Sequence, residues 1–158
     1  MALNAKVKEL LDSKNVAYEV ITHPTVYSSI EEARTLGIDA DEVAKVLVVT
    51  LHGQNSLVVV PGAHKLDSKK LRHFFGHRHA RLATEEELSR DFKDFELGAI
   101  PPFGELFNIP VYIDQRLLEH KTVVFTGGTH TDSIKMNVED LVKATNAQVV
   151  DLTTELAT

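Results

Sequence analysis

Apolar residues in this chain recur at two spacings, and stretches of each alternate from one end of the sequence to the other. Leu3, Val7, Leu10 and Leu11 recur at three and four residues, which predicts an amphipathic helix ending near Asn15. Residues 16–21 read as a strand, stopped by Thr22, His23 and Pro24. Ser29 with Glu32 three residues on has the form of a capping box, and Gly37 suits the C-cap of the helix they would begin. Asp39 and Glu42 repeat that pattern for a shorter helical turn. Two β-branched runs, 45–51 and 56–61, flank His52, Gly53, Gln54 and Asn55 and predict a β-hairpin. Asp67 or Ser68 opens a helix that Gly76 closes, and Thr84 with Glu87 opens another that runs to about Asp91. Residues 111–114 and 122–126 predict short strands, Asn137 caps a helix through Lys143, and 148–152 returns as a final strand. Helices mingle with strands, and the hairpin is antiparallel. The pattern therefore predicts an α+β fold, a mixed sheet with helices packed outside it. No repeat, low-complexity stretch or Pro/Ser-rich linker divides the sequence, so a single domain is expected over residues 1–158.

Composition adds a packed core to this picture. Hydrophobic residues make up 43% and charged residues 25%, close to the globular average. The longest apolar runs, 46–49 and 57–60, fall far short of the roughly 20 residues that cross a bilayer, so no membrane association is expected. Cysteine is absent, which excludes disulfides, thiolate zinc ligation and a cysteine nucleophile. The start of the chain lacks the basic stretch and continuous apolar segment of a secretory signal, and a cytoplasmic location is expected.

Charge changes the picture locally. A net charge of −6 argues against indiscriminate coating of nucleic acid, which relies on broad phosphate neutralisation. Between His64 and Arg81, however, lie Lys65, Lys69, Lys70, Arg72, Arg78 and Arg81, opposed only by Asp67. A basic patch on an acidic body suits one defined anionic partner; a solvated helix face is the plainer reading.

Three segments are not explained by a core. Lys45 stands among the residues of a buried strand, where it must either snorkel to the surface or be held by a functional partner. Partly desolvated, it would suit a phosphate or a developing oxyanion. The stretch Gly98, Ala99, Ile100, Pro101, Pro102, Phe103 and Gly104 is stiff and poor in N–H donors. It is either a rigid connection or a loop whose few free amides read a ligand. Residues 126–136 carry two glycines, hydroxyls, His130 and Asp132 after a strand, as expected of a loop bringing polar groups into a cleft. A triad of Ser133, His130 and Asp132 is conceivable, but no nucleophile elbow accompanies it. Among eight histidines, His77 and His79, assisted by His64, His73 or His23, raise a zinc site, yet neither HExxH nor a related spacing is present. No metal is therefore assigned. Phosphate-loop and GxGxxG motifs are also absent, and no cofactor is expected.

Taken in order, YEVITHP at 18–24, DEVAKVLV at 41–48, LGAIPPFG at 97–104 and GGTHTDSIKM at 127–136 resemble the YbaK/prolyl-tRNA-synthetase-associated editing-domain family across nearly the whole chain. The resemblance implies a mixed, largely antiparallel and partly barrel-like sheet surrounded by helices. It also implies hydrolysis of the ester joining a wrong amino acid to the 3′ end of a tRNA. Lys45, Gly98 and, more weakly, His130 would be catalytic. Ala99, Ile100, Pro101, Pro102, Phe103 and Gly104 would hold the aminoacyl end, with Ile30, Gly128 and Ser133 completing the pocket. A substrate 2′- or 3′-hydroxyl would help activate water, without metal. Ala-, Cys-, Ser- or Thr-type errors are the substrates this implies, with a cognate synthetase as a further partner. Lys65, Lys69, Lys70, Arg72 and Arg78 are the expected tRNA contacts. A pocket that binds aminoacyl-tRNA without turning it over, as a regulatory module, is the alternative.

Overall fold

The computed structural model describes residues 4–154. Its first helix, α1 (Ala5–Lys14), starts at Asn4, whose side chain accepts the N–H groups of Lys6 and Val7, and ends on left-handed Asn15. Leu3 lies outside the described residues; Val7 and Leu11 are fully buried. The remaining elements are β1 (Tyr18–Thr22), α2 (Ser29–Leu36), β2 (Ala44–Leu51), β3 (Gln54–Pro61), α3 (Ser68–Phe75), β4 (Arg81–Leu82), α4 (Glu85–Asp91), β5 (Val111–Asp114), β6 (Thr122–Thr129), β7 (Asp132–Asn137), α5 (Val138–Thr145) and β8 (Gln148–Val150).

The strands form two sheets. One has the order β4-β2-β3-β5-β8, with β2 antiparallel to β3 and β4, and with β3, β5 and β8 parallel. The other is the antiparallel set β1-β7-β6. The fold is thus α+β with a mixed, largely antiparallel arrangement, but the expected partial barrel is not formed. Both edges of β2 are engaged, by β3 along its length and by β4 at Val49 and Thr50. Among the described residues one parallel backbone bridge, Val43 to Val124, links the two sheets, and the main core packs side chains of both together.

Strand periodicity decides where the core sits. In β3, Leu57 and Val59 face the main core, which also takes Val7, Leu11, Phe103, Phe125 and Ile134. Val58 and Val60 face a second cluster under α3, with Leu71 and Leu152. A strand buried on both faces reads as an unbroken apolar run, which is what residues 57–60 display. His52 and Gly53, both at positive φ, make the hairpin a two-residue turn, tighter than the four-residue loop expected, because β3 starts at Gln54.

Two local readings are corrected. The N-cap of α2 is Ser28, which accepts the N–H of Glu31, rather than Ser29, and Glu32 is buried instead of completing a capping box. The segment after residue 126 is not a loop but a hairpin. β6 runs to Thr129, with a register shift between Thr126 and Thr129, and β7 begins at Asp132. Its alternation was hidden because Ser133 and Lys135 share one face of β7, yet Ser133 is buried and polar while Lys135 is exposed. The short edge strand β4 carried no strand signal.

Gly104 is packed rather than presented. A Cβ there would lie 2.2 Å from the carbonyl oxygen of Ile109 and 2.7 Å from Cγ2 of Val111. Gly104→Ala is expected to destabilise the protein by about 3 kcal/mol from overpacking. Thermal denaturation should record a fall in Tm of roughly 6–12 °C.

Candidate active site

A cleft of about 220 Å³ opens where the β6–β7 hairpin, the connection from β1 to α2 and the start of β2 converge. The hairpin turn holds that connection in place: the N–H groups of His23 and Val26 donate to the carbonyls of Thr131 and His130, at 2.9 and 3.0 Å. Because β4 pairs only with Val49 and Thr50, the stretch of β2 at 44–47 keeps one free edge, and all four of its residues line the cleft.

Lys45 is half-buried in this wall and makes no ion pair or hydrogen bond among the described residues. Burial lowers its pKa below the usual lysine value, and the positive charge of Lys65 lowers it further. A cation in this state is poised for a ligand's negative charge. Gly98, at φ 82°, brings its backbone against the cleft; a Cβ there would lie 3.4 Å from the Tyr27 carbonyl oxygen and 3.6 Å from Cε1 of His130. That conformation is open to glycine at little cost.

The other residues assigned from sequence divide. His130 lines the cleft, its Nε2 3.3 Å from Glu96 and its ring 4.9 Å from that of Tyr27. Ala99, Ile100, Pro101, Pro102, Phe103 and Gly104 are buried behind the cleft rather than lining it, and Phe103 packs edge-on against Phe125 in the core. The stiff segment therefore supports Gly98 instead of offering a row of amides. Gly128 backs onto Phe95 and Asn4, and Ile30 is exposed outside the cleft. In the basic patch Lys65, Lys69, Arg72 and Arg78 are exposed, whereas Lys70 is held at 2.9 Å by Asp151 and by the Thr153 carbonyl. The conceivable triad of Ser133, His130 and Asp132 is not assembled. Nor do the described residues contain a group of three or more His, Asp or Glu side chains that could hold a metal ion.

Ser133 instead joins two residues that sequence reasoning did not assign to the site. Fully buried, it donates to Oε2 of Glu32 and lies 2.8 Å from Nε2 of His23, whose Nδ1 is 2.7 Å from the Pro24 carbonyl oxygen. Glu32 and His23 both line the cleft. Burial raises the pKa of Glu32, and the Ser133 hydrogen bond and His23 partly oppose the shift. Asp132, fully buried and also lining the cleft, accepts from the hydroxyls of Thr22, Thr129 and Thr131. The signal for Glu32 was present in the sequence. It shares a face with Ala33 and Leu36, the buried face of α2, and a charged residue on such a stripe is rarely idle.

An aminoacyl-tRNA editing domain model matches residues 23–144, more than half of the chain and every part of this cleft. The chain belongs to the aminoacyl-tRNA editing domain family. The uncharacterized protein YwhH of Bacillus subtilis is 30% identical over 78% of both chains. A protein of Enterococcus faecalis named as a candidate Cys-tRNA(Pro)/Cys-tRNA(Cys) deacylase, EbsC, is 24% identical over 87% of this chain and 84% of its own. A solved structure of a candidate trans-editing enzyme for prolyl tRNA synthetase superposes with a TM-score of 0.85 at 27% identity, covering 97% of this chain and 99% of that one. The match to a proline--tRNA ligase, from Shouchella clausii, spans only 15% of that larger protein.

Within this editing domain the raised pKa of Glu32 has a thermodynamic consequence. The folded state holds the Glu32 proton more tightly than the unfolded state. The associated stability is therefore present below the ordinary glutamate range and is lost as pH rises through the folded value. Urea denaturation of Glu32→Gln and wild type at pH 4 and pH 8 should show the variant gaining on the wild type as pH rises.

Proposed function

We propose that this protein is a free-standing aminoacyl-tRNA deacylase, one editing domain over residues 1–158, that hydrolyses in trans the ester of a mischarged tRNA. The observation that carries this reading is Lys45, a half-buried cation without a partner among the described residues, set in a cleft beside the backbone of Gly98. Ester hydrolysis builds negative charge on a carbonyl oxygen, and a preorganised donor at that point is worth roughly 3–4 kcal/mol. Lys45 takes the carbonyl or the terminal phosphate, Gly98 positions the aminoacyl end, and His130 closes the cleft from the hairpin. A hydroxyl of the substrate's terminal ribose assists the attacking water, and no metal takes part. The names given to EbsC and to the solved trans-editing relative support hydrolysis of this kind.

A cleft of about 220 Å³ favours a small aminoacyl group. Errors of the Ala, Cys, Ser or Thr type fit, the kind a synthetase pocket rejects by only about 1–3 kcal/mol per methylene. The likeness to part of a proline--tRNA ligase and to a prolyl trans-editing enzyme favours mischarged proline tRNA, with the synthetase as a partner. The acceptor end reaches the cleft across the basic patch, from exposed Lys69, Arg72 and Arg78 to Lys65, whose charge acts on Lys45. Phosphate contacts of this sort set position and affinity rather than amino-acid choice. The protein works in the cytoplasm with the translation machinery.

Incubating the purified protein with a panel of aminoacyl-tRNAs should accelerate deacylation of at least one small mischarged residue. A panel on which no ester is hydrolysed above background removes the reading. Lys45→Ala should lower kcat/KM by about 10²–10³. Its Tm should stay near that of the wild type, because the ammonium has no partner to lose among the described residues.

A further inference from the structure

Hydrogen counting in the buried chain of Glu32, Ser133 and His23 fixes its charge. The Pro24 carbonyl can only accept, so the hydrogen of that bond sits on Nδ1 of His23. The two bonds from Nε2 of His23 through Oγ of Ser133 to Oε2 of Glu32 need two hydrogens, and serine supplies one. The other rests either on Glu32, leaving a carboxylic acid and a neutral imidazole, or on Nε2, leaving a carboxylate and an imidazolium. Both forms are neutral overall. They interconvert when Glu32 passes its hydrogen to Oγ as Ser133 passes its own to Nε2, with no change in heavy-atom positions. Glu32 can therefore become an anion without drawing a proton-accepting or cationic partner from outside.

The second oxygen of Glu32 has no hydrogen-bond partner among the described residues. Among the described buried side chains, the one polar atom that is both occluded and without a hydrogen-bond partner is in Asp41, so Oε1 of Glu32 is open to the cleft that its residue lines. Its surroundings favour a cation there. Asp132 on β7 adds a buried carboxylate whose hydrogen-bond donors are hydroxyls, and Ser133 stands between Glu32 and His23, which takes up the displaced proton. Lys45 on β2 and His130 at the hairpin turn line the same cleft, yet neither pairs with Glu32. The cleft thus presents a cation at one position and an unsatisfied acid at another, a pattern complementary to an aminoacyl ester. Such an ester has a charged amine at one end and a carbonyl and phosphate at the other.

We infer that Oε1 of Glu32 binds the α-ammonium group of the esterified amino acid, with Ser133 and His23 as positioning residues that hold the displaced proton. The inference rests on the deacylase reading and names the part of the substrate that the floor of the cleft recognises. It makes editing selective for a free amine, so that an acyl group of the same shape without one is bound poorly.

The test uses calorimetric titration of the full chain at pH 7, below the ordinary α-amine pKa of about 7.7–8.0. The probes are 3′-alanylamino-3′-deoxyadenosine 5′-phosphate and its 3′-propionylamino counterpart, which differ only in the ammonium group and cannot be hydrolysed as esters. Wild type is expected to bind the alanyl compound about 10-fold more tightly or better, and Glu32→Gln to bind both within about two-fold. Equal wild-type affinities overturn the inference without any variant. So does an unchanged preference in Glu32→Gln, or no wild-type binding of the alanyl compound. The deacylase reading is decided separately by the aminoacyl-tRNA panel, so a protein that deacylates yet ignores the ammonium loses only this inference.

Discussion

Pairing register on β7 governs the arrangement of the whole site. Ser133 is opposite Ile21 on β1 and Thr126 on β6, so backbone ladders on both sides fix which way its hydroxyl points. A slip of one residue would turn Ser133 out and bring its neighbours onto the α2 side, because side chains alternate strictly along a strand. The apolar residues on either side of the correct register guard against this. Ile134 is fully buried in the main core, and Met136 follows it two residues on. Hydrophobic packing of one face of β7 thereby positions the polar chemistry of the other.

The same economy runs through the charges. Lys45, Glu32 and Asp132 are each withdrawn from water to some degree; among the described residues Lys45 and Asp132 form no ion pair, and Glu32 is balanced only through the proton it shares with His23. Each costs folding energy in the empty protein, since a charge loses solvation on burial. The hydroxyls around Asp132 and the Ser133–His23 chain behind Glu32 reduce that cost without cancelling the field that reaches the cleft. Surface pairs such as Arg81 with Glu87, which hold the Glu87 pKa at about 2, do the opposite and contribute little to the site.

Much of the fold was legible because its signals are local. Thr84 and Glu87 form the reciprocal capping box expected of them, Gly37 and Gly76 close their helices in the left-handed conformation, and the hairpin of β2 and β3 follows its β-branched runs. What escaped was decided by long-range pairing. Residues 132–137 carry too many polar side chains to read as a strand, and only the neighbouring β1 and β6 make them one. For the site, Lys45 stood out because a lysine is foreign to such a strand. Glu32 looked ordinary beside Ser29, since a capping reading absorbed it, whereas the cap is Ser28 and Glu32 lies on the buried face with Ala33 and Leu36. The proline-containing segment was conspicuous for its stiffness, but that stiffness is spent against the core, and only Gly98 reaches the cleft.

The free edge of β2 at residues 44–47 has a further meaning. An unpaired strand edge offers a template to any other extended chain, and proteins ordinarily blunt it with charge, curvature or cover. Here the exposed stretch is recessed within a cleft of about 220 Å³, with a lysine among its four residues and β4 completing the edge just beyond. A neighbouring strand has no room to align there, whereas a small ligand does. Backbone groups that would invite self-association on an open surface are in this way reserved for molecules small enough to enter.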